Sequence, residues 1–600
     1  MAHALPQRKD IKQEDTWRLE DIFATDQDFK ACYEDVLSRL SQFKNFEGQL
    51  CKDGKTLFDF LNRQDLLSQD IGKLYVYAHM RLHQDGGNDF YQDLSSQSEM
   101  LNIKASETLS FASSELAKLT EVQIQTFMDE VPDLKLYDRY LAEILRQKDH
   151  ILDAQTEALL ARVGELGDTS SNAFAMLNNV DLKFPIIKNA QGEDVRITHG
   201  NYISLLESAN REVREAAFTQ LYTTYDGVKN TIAALFTGNV KQYDFFAATR
   251  HYESPLHAAL SDNNIPVSVY DNLIETVNKN LHIMHDYVAL RKETLGLDTL
   301  HMYDLFVPIV KDFEKPISFE EACDIILKAL APMGEEYVSL LKEAFNNRWI
   351  DKYENEGKRS GAYSWGTYAA PHPYVLLNYT DNIHNLFTLA HEMGHAMHSY
   401  FSSRTQSYVY ANYCIFVAEV ASTVNEALLM QYLLKTNTDP IFKKYLINYF
   451  MEQFRSTLYR QTMFAEFEKE MHTLNQQGIT LTTKLLSDKY YALVKKYHGN
   501  AMEVDELISL EWARIPHFYT PFYVYQYATG YSAAITLSER ILNEGETAVK
   551  DYMKFLSGGS SKDPIDLLKI AGVDMSTPEP IEIALQKFAK LIETFKTECH

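Results

Sequence analysis

The feature that most constrains the fold is a helical spacing of apolar residues, which recurs along most of the chain. In the segment 28–40, DFKACYEDVLSRL, apolar side chains lie three or four positions apart and mark one face of a helix. The same spacing occurs in Leu57–Asp70, Ser106–Leu119, Tyr202–Tyr225 and Phe319–Leu330. Only 24 glycines and 16 prolines interrupt the 600 residues, which suits long helices joined by short turns. The pattern predicts a mainly α fold.

Strand signals are confined to two short segments rich in β-branched or aromatic residues, Asp194–Thr198 and Pro373–Tyr379. A chain of 600 residues exceeds what one compact core usually holds, so we expect at least two domains. The turn-rich stretch NAQGEDVRITHGNY indicates a break near residue 200. The sequence therefore predicts an N-terminal helical domain over residues 1–200 and a larger domain over residues 201–600.

Composition excludes several classes of function. The chain has 58 basic and 83 acidic residues, a net charge of −25, which disfavours nucleic acid as a partner. It has no run of about 18 apolar residues, so we expect no membrane span. The opening MAHALPQRKDIKQEDTW lacks the apolar segment of a secretory signal, and the five cysteines are scattered without a C-x-x-C pair. These features predict a cytoplasmic protein and leave its oligomeric state open.

The stretch TLAHEMGHAMHSYF, residues 388–401, contains the metal-binding pattern H-E-x-x-H in His391, Glu392 and His395. Its apolar residues follow helical spacing, and Thr380 or Asp381 can cap the start of the helix. Residues four apart share a helix face, so both imidazoles can reach one ion. Glu392 lies one step round the helix, where it can contact a water molecule on that ion. The pattern predicts a catalytic metal site.

A catalytic zinc site needs a third protein ligand, and two residues are candidates. His398 continues the series of histidines, but His391 and His398 are two helical turns, or about 10.5 Å, apart, which disfavours a shared ion. Glu419 lies in FVAEVASTVNEALL among apolar neighbours, where a carboxylate is costly to bury unless it is paired or binds metal. Glu426, seven residues later, is either a carboxylate that orients a ligand histidine or a surface residue.

The segments around the metal-binding motif resemble those of a known family. LAHEMGHAMHSYF followed by FVAEVASTVNEALL is similar to the oligoendopeptidase F family of zinc metallopeptidases and, more distantly, to thimet oligopeptidase. TWRLEDIF, ITHGNYISLLESANREVREAAF, RSGAYSWGTYAAPHPYVLLNYT and RIPHFYTPFYVYQYATGYSAA extend the resemblance over most of the chain.

The resemblance implies a large helical zincin-type metallopeptidase with a deep channel between two halves and a small β element beside the zinc helix. One Zn²⁺ per chain would be held by His391, His395 and Glu419, with Glu392 as the catalytic carboxylate. His398 matches a position of the family's wider motif and stays the alternative third ligand or a neighbour of the ligands. The catalytic peptidase domain would span residues 201–600.

The segment IPHFYTPFYVYQYATGY is dense in hydrogen-bond donors that could stabilise a tetrahedral oxyanion. An aromatic core is the plainer interpretation, and several of these residues are expected to be core. By resemblance, His517 and one or more tyrosines contact the oxyanion. Tyr523 and Tyr527 are preferred because their spacing predicts one helix face, although which tyrosine of 519–531 faces the metal stays open.

The segment PYVLLNYT precedes the zinc helix and predicts a strand that pairs with an extended substrate. Its Tyr374, Val375 and Leu376 are therefore candidate substrate-binding residues. Gly361 lies in the loop GKRSGAYSWG, which is either a mobile segment that contacts substrate or a tight connection.

Together these features predict a zinc-dependent endopeptidase for short peptides, in which Glu392 is the general base towards a metal-activated water. A zinc carboxypeptidase of similar fold is the second hypothesis. A non-catalytic helical peptide-binding protein with a vestigial metal is the third. Another divalent ion can occupy the same set of ligands.

Overall fold

The computed structural model describes residues 5–310 and 315–598. Helices dominate both ranges and all strands are three residues or shorter, which confirms the predicted mainly α fold. Across these two ranges, every helix is too short or too polar to cross a membrane.

The described residues before the gap contain fourteen α-helices and three strands. The helices are α1 (Asp26–Leu40), α2 (Gly54–Gln84), α3 (Asp89–Leu109), α4 (Phe111–Leu116), α5 (Glu121–Glu130), α6 (Asp138–Arg146), α7 (Ala154–Gly167), α8 (Thr169–Met176), α9 (Tyr202–Leu206), α10 (Arg211–Asp226), α11 (Lys229–Thr249), α12 (Pro255–Ser261), α13 (Val267–Lys279) and α14 (Leu281–Thr294). The strands are β1 (Ile186–Lys188), β2 (Asp194–Arg196) and β3 (Leu300–His301).

After the gap, the described residues contain twelve α-helices and four strands. The helices are α15 (Phe319–Ala329), α16 (Glu335–Asn346), α17 (Ile383–Thr405), α18 (Tyr408–Ala411), α19 (Ile415–Thr436), α20 (Pro440–Gln453), α21 (Arg460–Gln476), α22 (Thr483–His498), α23 (Tyr525–Glu544), α24 (Glu546–Leu556), α25 (Pro564–Ile570) and α26 (Glu579–Glu598). The strands are β4 (Ile350–Asp351), β5 (Tyr363–Trp365), β6 (Tyr374–Leu376) and β7 (Met502–Glu503).

The chain forms two compact units. Unit 1 comprises Met1–Ala154, Glu314–Tyr432 and Leu537–Gly572, and unit 2 comprises Gln155–Phe313, Leu433–Thr536 and Val573–His600. The predicted break near residue 200 coincides with none of these boundaries, because each unit is built from three separate stretches of chain. The division into a helical domain over residues 1–200 and a catalytic domain over residues 201–600 stays a prediction.

Unit 1 holds a three-stranded sheet in the order β4-β6-β5, with β6 parallel to β4 and antiparallel to β5. The middle strand is fully buried, and its Tyr374 and Leu376 join the apolar core formed by helices α1 to α6. The carboxylate of Asp351 anchors β4, since it is fully buried and accepts from Arg8 Nη1 at 2.9 Å and pairs with Lys358 Nζ at 2.6 Å.

Two of the predicted helices are interrupted. The 106–119 pattern is split at Ser110 between α3 and α4, and the 202–225 pattern ends at Leu206 and resumes at Arg211. The second break has a local cause, because Asn210 caps α10 by accepting from the backbone N–H of Glu212 and so starts a new helix. The spacing of apolar residues continues across both breaks, which is why it does not reveal them.

Helix α17 is the helix predicted around the H-E-x-x-H motif. It begins at Ile383, and its N-cap is Asn382, whose side chain accepts from the backbone N–H of Asn385 at 2.8 Å. The predicted caps, Thr380 and Asp381, are therefore wrong by one or two residues. Helix α19 starts at Ile415 and carries Glu419.

Candidate metal centre

Helices α17 and α19 of unit 1 bring three of the predicted metal ligands together. His391 and His395 lie one turn apart on α17, and Glu419 comes from α19. Oε2 of Glu419 lies 3.4 Å from Nε2 of His391 and 3.7 Å from Nε2 of His395. Among the described residues, this is the only group of three or more metal-binding side chains whose ligand atoms lie within 4.8 Å of one another.

The geometry of this group fits a metal ion. Ligands bound at about 2.0–2.1 Å in a tetrahedral arrangement lie about 3.4 Å from each other, close to the separations of Glu419 from the two histidines. Two imidazole nitrogens and one carboxylate oxygen form a donor set typical of catalytic zinc, which keeps its fourth position open.

Each of the two histidines is oriented by a hydrogen bond. Nδ1 of His391 lies 2.5 Å from Oε1 of Glu426, and His395 hydrogen-bonds to the backbone of Ala418. Burial alone would lower the pKa of His391, but the hydrogen bond and negative charge of Glu426 outweigh burial and raise it to about 9. Glu426 thus occupies the position in which a carboxylate orients a ligand histidine, and it is not a surface residue.

Replacing Glu426 by Gln should lower metal affinity by roughly 10–100-fold, the usual cost of losing a carboxylate that supports a ligand histidine. The amide still accepts a hydrogen bond from His391 but no longer carries the charge that makes the imidazole a stronger donor to metal. Competition with a chelator measures the change. Glu336→Gln makes the same charge change at an exposed position of α16 and should leave affinity unaltered. Equal affinities for the two variants would contradict the assignment of Glu426.

Glu392 lies beside this group but faces the sheet. Its carboxyl is 7% exposed and accepts a hydrogen bond from the backbone N–H of Ser364 in β5. Burial raises the pKa of Glu392 to about 7, the negative charge of Glu419 adds to the rise, and the charge of His391 opposes it. A carboxyl with a pKa near 7 can both take up and release a proton at neutral pH.

The predicted pairing of substrate with Tyr374, Val375 and Leu376 is wrong. These residues form β6, whose two sides are already paired with β4 and β5, and all three are fully buried. β4 and β5 are both outer strands of this sheet; β4 is buried, whereas β5 is partly exposed and its Ser364 backbone N–H donates to Glu392. Gly361 lies two residues before β5 with a φ of 84° and accepts from Asn378 Nδ2 at 2.8 Å. Its contact with substrate stays a prediction.

Helices α17 and α19 approach closely at the metal group. A Cβ atom on Gly394 would lie 2.5 Å from Cα of Ser422 and 2.6 Å from the carbonyl oxygen of Ala421, so only glycine allows this crossing. One turn away, the fully buried Asn425 donates to the carbonyl of Ala390 at 3.1 Å and accepts from the Tyr337 hydroxyl at 2.8 Å. These contacts fix the helix that carries Glu419 against the helix that carries both histidines.

His398 lies outside the group of metal-binding side chains. It is 1% exposed, and its ring stacks on Tyr413 with centroids 3.6 Å apart and planes 5° apart. Burial lowers its pKa to about 3. His398 therefore occupies an aromatic core position, as the distance argument from helix rise indicated.

Two adjoining pockets in unit 1 open beside β5. One, of about 570 Å³, is lined by Ser364, the segment 365–368 and residues of α17, and the other, of about 590 Å³, extends towards α2 and α3. They share Trp365 to Tyr368, Ala411 and Asn412. Trp365 of β5 thus borders both pockets, which are together large enough for several residues of an extended peptide, while His391, Glu392, His395 and Glu419 line neither.

The predicted donors of the segment 516–531 cluster in unit 2. The rings of His517, Tyr523 and Tyr527 lie within 5.5–6.2 Å of one another. Helix α23 starts only at Tyr525, so Tyr523 precedes it and the predicted shared helix face is wrong. Burial lowers the pKa of His517, which favours its neutral form. Tyr519, Tyr525 and Tyr531 are buried, which leaves Tyr523 and Tyr527 as the partly exposed tyrosines of this group.

A strained residue precedes Tyr523. Phe522 has a φ of 62°, a left-handed conformation that is rare for a bulky side chain. Its backbone N–H donates to Oε1 of Glu468 on α21 at 3.3 Å. Glu468 is 1% exposed, and its Oε2 has no hydrogen-bond partner among the described residues. Burial raises the pKa of Glu468 well above its ordinary value of 4.5, so the carboxyl is held neutral under this turn.

Glu468→Gln should change how stability depends on pH. The folded wild type keeps a proton that the unfolded chain releases above about pH 4.3, so its stability falls as pH rises towards the folded-state pKa. Gln is neutral at every pH and accepts the same hydrogen bond, so the stability of the variant relative to the wild type should increase as pH rises above about 4.3. Thermal midpoints against pH measure this. Parallel curves for Glu468→Gln, the control Glu336→Gln and the wild type would contradict a neutral Glu468.

Three residues that shape the site were not predicted from the sequence. Ser364 contributes through its backbone, which carries no side-chain signal. Gly394 lies inside the metal-binding motif, but its role depends on where α19 crosses, which the motif does not show. Asn425 offered the one usable signal, because an amide in the apolar helix FVAEVASTVNEALL needs a partner to be buried.

Comparison with known proteins shows the family of this chain. Residues 204–587 match the family model for peptidase family M3, and residues 115–184 match the model for oligopeptidase F. The chain is 50% identical to oligopeptidase PepF of Bacillus subtilis over 99% of this chain and 88% of that protein. It is 40% identical to the group B oligopeptidase PepB of Streptococcus agalactiae over 98% of this chain and 97% of that one.

Solved structures give the same assignment. A peptidase from Chlamydophila abortus superposes with a TM-score of 0.93 at 35% identity, covering 99% of this chain and 100% of that one. Oligoendopeptidase-F from Enterococcus faecium superposes with a TM-score of 0.74 at 38% identity, covering 96% and 99%. The chain therefore belongs to the oligopeptidase F group of peptidase family M3, and it is a metallopeptidase.

Proposed function

We propose that this metallopeptidase is a zinc-dependent endopeptidase that hydrolyses internal bonds of short peptides. One observation carries the proposal: two imidazoles and a carboxylate converge at metal-binding distances, and Glu392 lies next to them on the free edge of β5. The names of the relatives support oligopeptides as substrates, and the name of the E. faecium protein supports internal cleavage.

In this proposal His391, His395 and Glu419 hold one zinc ion per chain. When bound, zinc would polarise the carbonyl of the substrate and make water a stronger nucleophile near neutral pH. Glu426 keeps the His391 ring oriented through Nδ1, and the Ala418 backbone does the same for His395.

Glu392 moves the proton. Its carboxylate takes a proton from the attacking water and passes it to the nitrogen of the leaving amine. The hydrogen bond from Ser364 holds the carboxylate in place, and burial keeps its pKa near 7, so the group can both accept and release a proton at neutral pH. The predicted donation from His517, Tyr523 and Tyr527 to the oxyanion stays part of the proposal and rests on the exposure of these rings.

We infer that the substrate backbone pairs with β5, since this strand has a free edge next to Glu392. The two pockets beside Trp365 to Tyr368 then receive the flanking residues of the peptide. Short peptides are the predicted partners, while the absence of nucleic acid partners and the cytoplasmic location stay predictions from charge and from the first residues.

The test separates internal cleavage from cleavage at the C-terminus. An internally quenched peptide of about ten residues is offered to the zinc-loaded enzyme in two forms, one with a free C-terminal carboxylate and one with an amide, and products are identified by mass spectrometry. The proposal predicts cleavage at the same internal bond in both. Loss of all cleavage on amidation would establish a carboxypeptidase instead.

A further inference from the structure

Unit 2 encloses a second polar site in a different set of elements. A cavity of about 30 Å³ lies between α10, α14, α22, the π-helical segment Phe454–Tyr459 and the 3₁₀ segment Glu506–Arg514. Its volume suffices for one or two water-sized occupants. None of the predicted catalytic residues lines it.

The polar lining of this cavity carries an excess of positive charge. Arg455, Arg460 and Arg514 line it, whereas Glu511 is the only carboxylate among the described residues that does. Burial opposes ionisation of Glu511, but the neighbouring guanidinium groups outweigh it and lower its pKa to about 2, so it is charged. Burial lowers the pKa of the lining His498 to about 4, so this ring is neutral at pH 7.

Ion pairs do not remove this excess. Arg460 Nη2 contacts Glu511 Oε1 at 2.7 Å, and Arg514 Nη1 lies 3.7 Å from the same oxygen. Arg455 pairs with Glu452 at 2.7 Å, but Glu452 is shared with the buried Arg291 at 2.8 Å. Four guanidinium groups thus face two carboxylates. Uncompensated buried charge is costly, so an anion in the cavity would stabilise this arrangement.

Two buried polar atoms at the cavity have no hydrogen-bond partner among the described residues. They are the hydroxyl of Tyr459, which can donate or accept, and Nε of Arg514, which only donates. Both oxygens of Glu511 are already engaged by Arg460 and by the hydroxyls of Tyr490 and Tyr222. An anion can accept from both atoms and also offset the excess positive charge, whereas water can do only the first.

We propose that this cavity is a binding site for a small inorganic anion of halide size, with Arg514 and Tyr459 as its donors. The site lies at the end of the segment Glu506–Arg514, which leads directly into Pro516–Tyr519 and its His517. Anion binding therefore stabilises unit 2 around the turn that carries this histidine, and it adds to stability in proportion to occupancy.

Thermal unfolding of the zinc-loaded enzyme in sodium chloride, sodium bromide and sodium gluconate at equal ionic strength tests the proposal. The midpoint should rise by a few degrees and saturate with chloride and bromide, while gluconate, which is too large for the cavity, has no such effect. Tyr459→Phe and Arg514→Gln should each weaken the halide response. Equal responses to all three salts would show screening of surface charge and overturn the site.

Crystals of the wild-type enzyme soaked in bromide provide a readout that does not depend on folded variants. The proposal predicts an anomalous peak within hydrogen-bond distance of the Tyr459 hydroxyl and the Arg514 guanidinium. Bromide peaks confined to the protein surface, with water in the cavity, would overturn it.

Discussion

Glu392→Gln should lower kcat by roughly 10²–10⁴-fold while leaving bound zinc and peptide affinity nearly unchanged. Gln has the shape of Glu and can still accept from the Ser364 N–H, but it cannot take a proton from water. The residue is not among the three side chains that converge on the metal position. Initial rates on the quenched peptide and zinc content of the same samples measure both parts of the expectation.

Glu336→Gln is the matched control, since it removes one negative charge from an exposed position of α16. Its rate should equal that of the wild type. A Glu392→Gln enzyme with full zinc and an undiminished kcat would remove Glu392 from proton transfer. Parallel loss of zinc and activity would instead make Glu392 a residue needed for metal binding.

Gly394→Ala should destabilise unit 1 by about 1–3 kcal/mol and weaken zinc binding, although alanine favours helices over glycine. The new Cβ atom would lie 2.5 Å from Cα of Ser422, which is a backbone atom and cannot rotate away. Helix α19 must therefore move, and Glu419 moves with it relative to the two histidines. Thermal unfolding and a zinc titration measure the two effects.

Gly164→Ala makes the same substitution on α7, where no described residue outside the local helix backbone has an atom within 4 Å of the new Cβ atom. This control should be neutral or slightly stabilising, as expected from helix propensity alone. If Gly394→Ala matched the control in both stability and zinc affinity, the close crossing of α17 and α19 would not be what positions Glu419.

The sequence predicts most of the metal group because the relative positions of these residues depend mainly on local helix geometry. His391 and His395 share a helix face whatever the rest of the fold does, and helix rise alone separates His398 from them. Glu419 lies on another helix, yet its apolar neighbours mark it as a carboxylate that needs a buried partner. Glu426 lies seven residues after Glu419, so helix periodicity places the two carboxylates on the same face.

Features that depend on pairing between distant segments are not predicted. The segment 373–379 reads as a strand, but nothing in it shows that β4 and β5 occupy both of its sides, so the sequence does not reveal that this strand has no side left for a substrate. The helix face proposed for Tyr523 and Tyr527 failed because Phe522 turns the chain at a positive φ just before α23. The two units, each built from three stretches, have no signature along the chain.

The most direct test of the central claim is a zinc titration of chelator-treated enzyme in which the rate on the quenched peptide is measured at each point. If His391, His395 and Glu419 hold a catalytic zinc ion, the metal-free protein is inactive and the rate rises linearly to one zinc per chain and then stops. Full activity without metal, or a Glu419→Gln variant that binds zinc and cleaves peptide like the wild type, would contradict it.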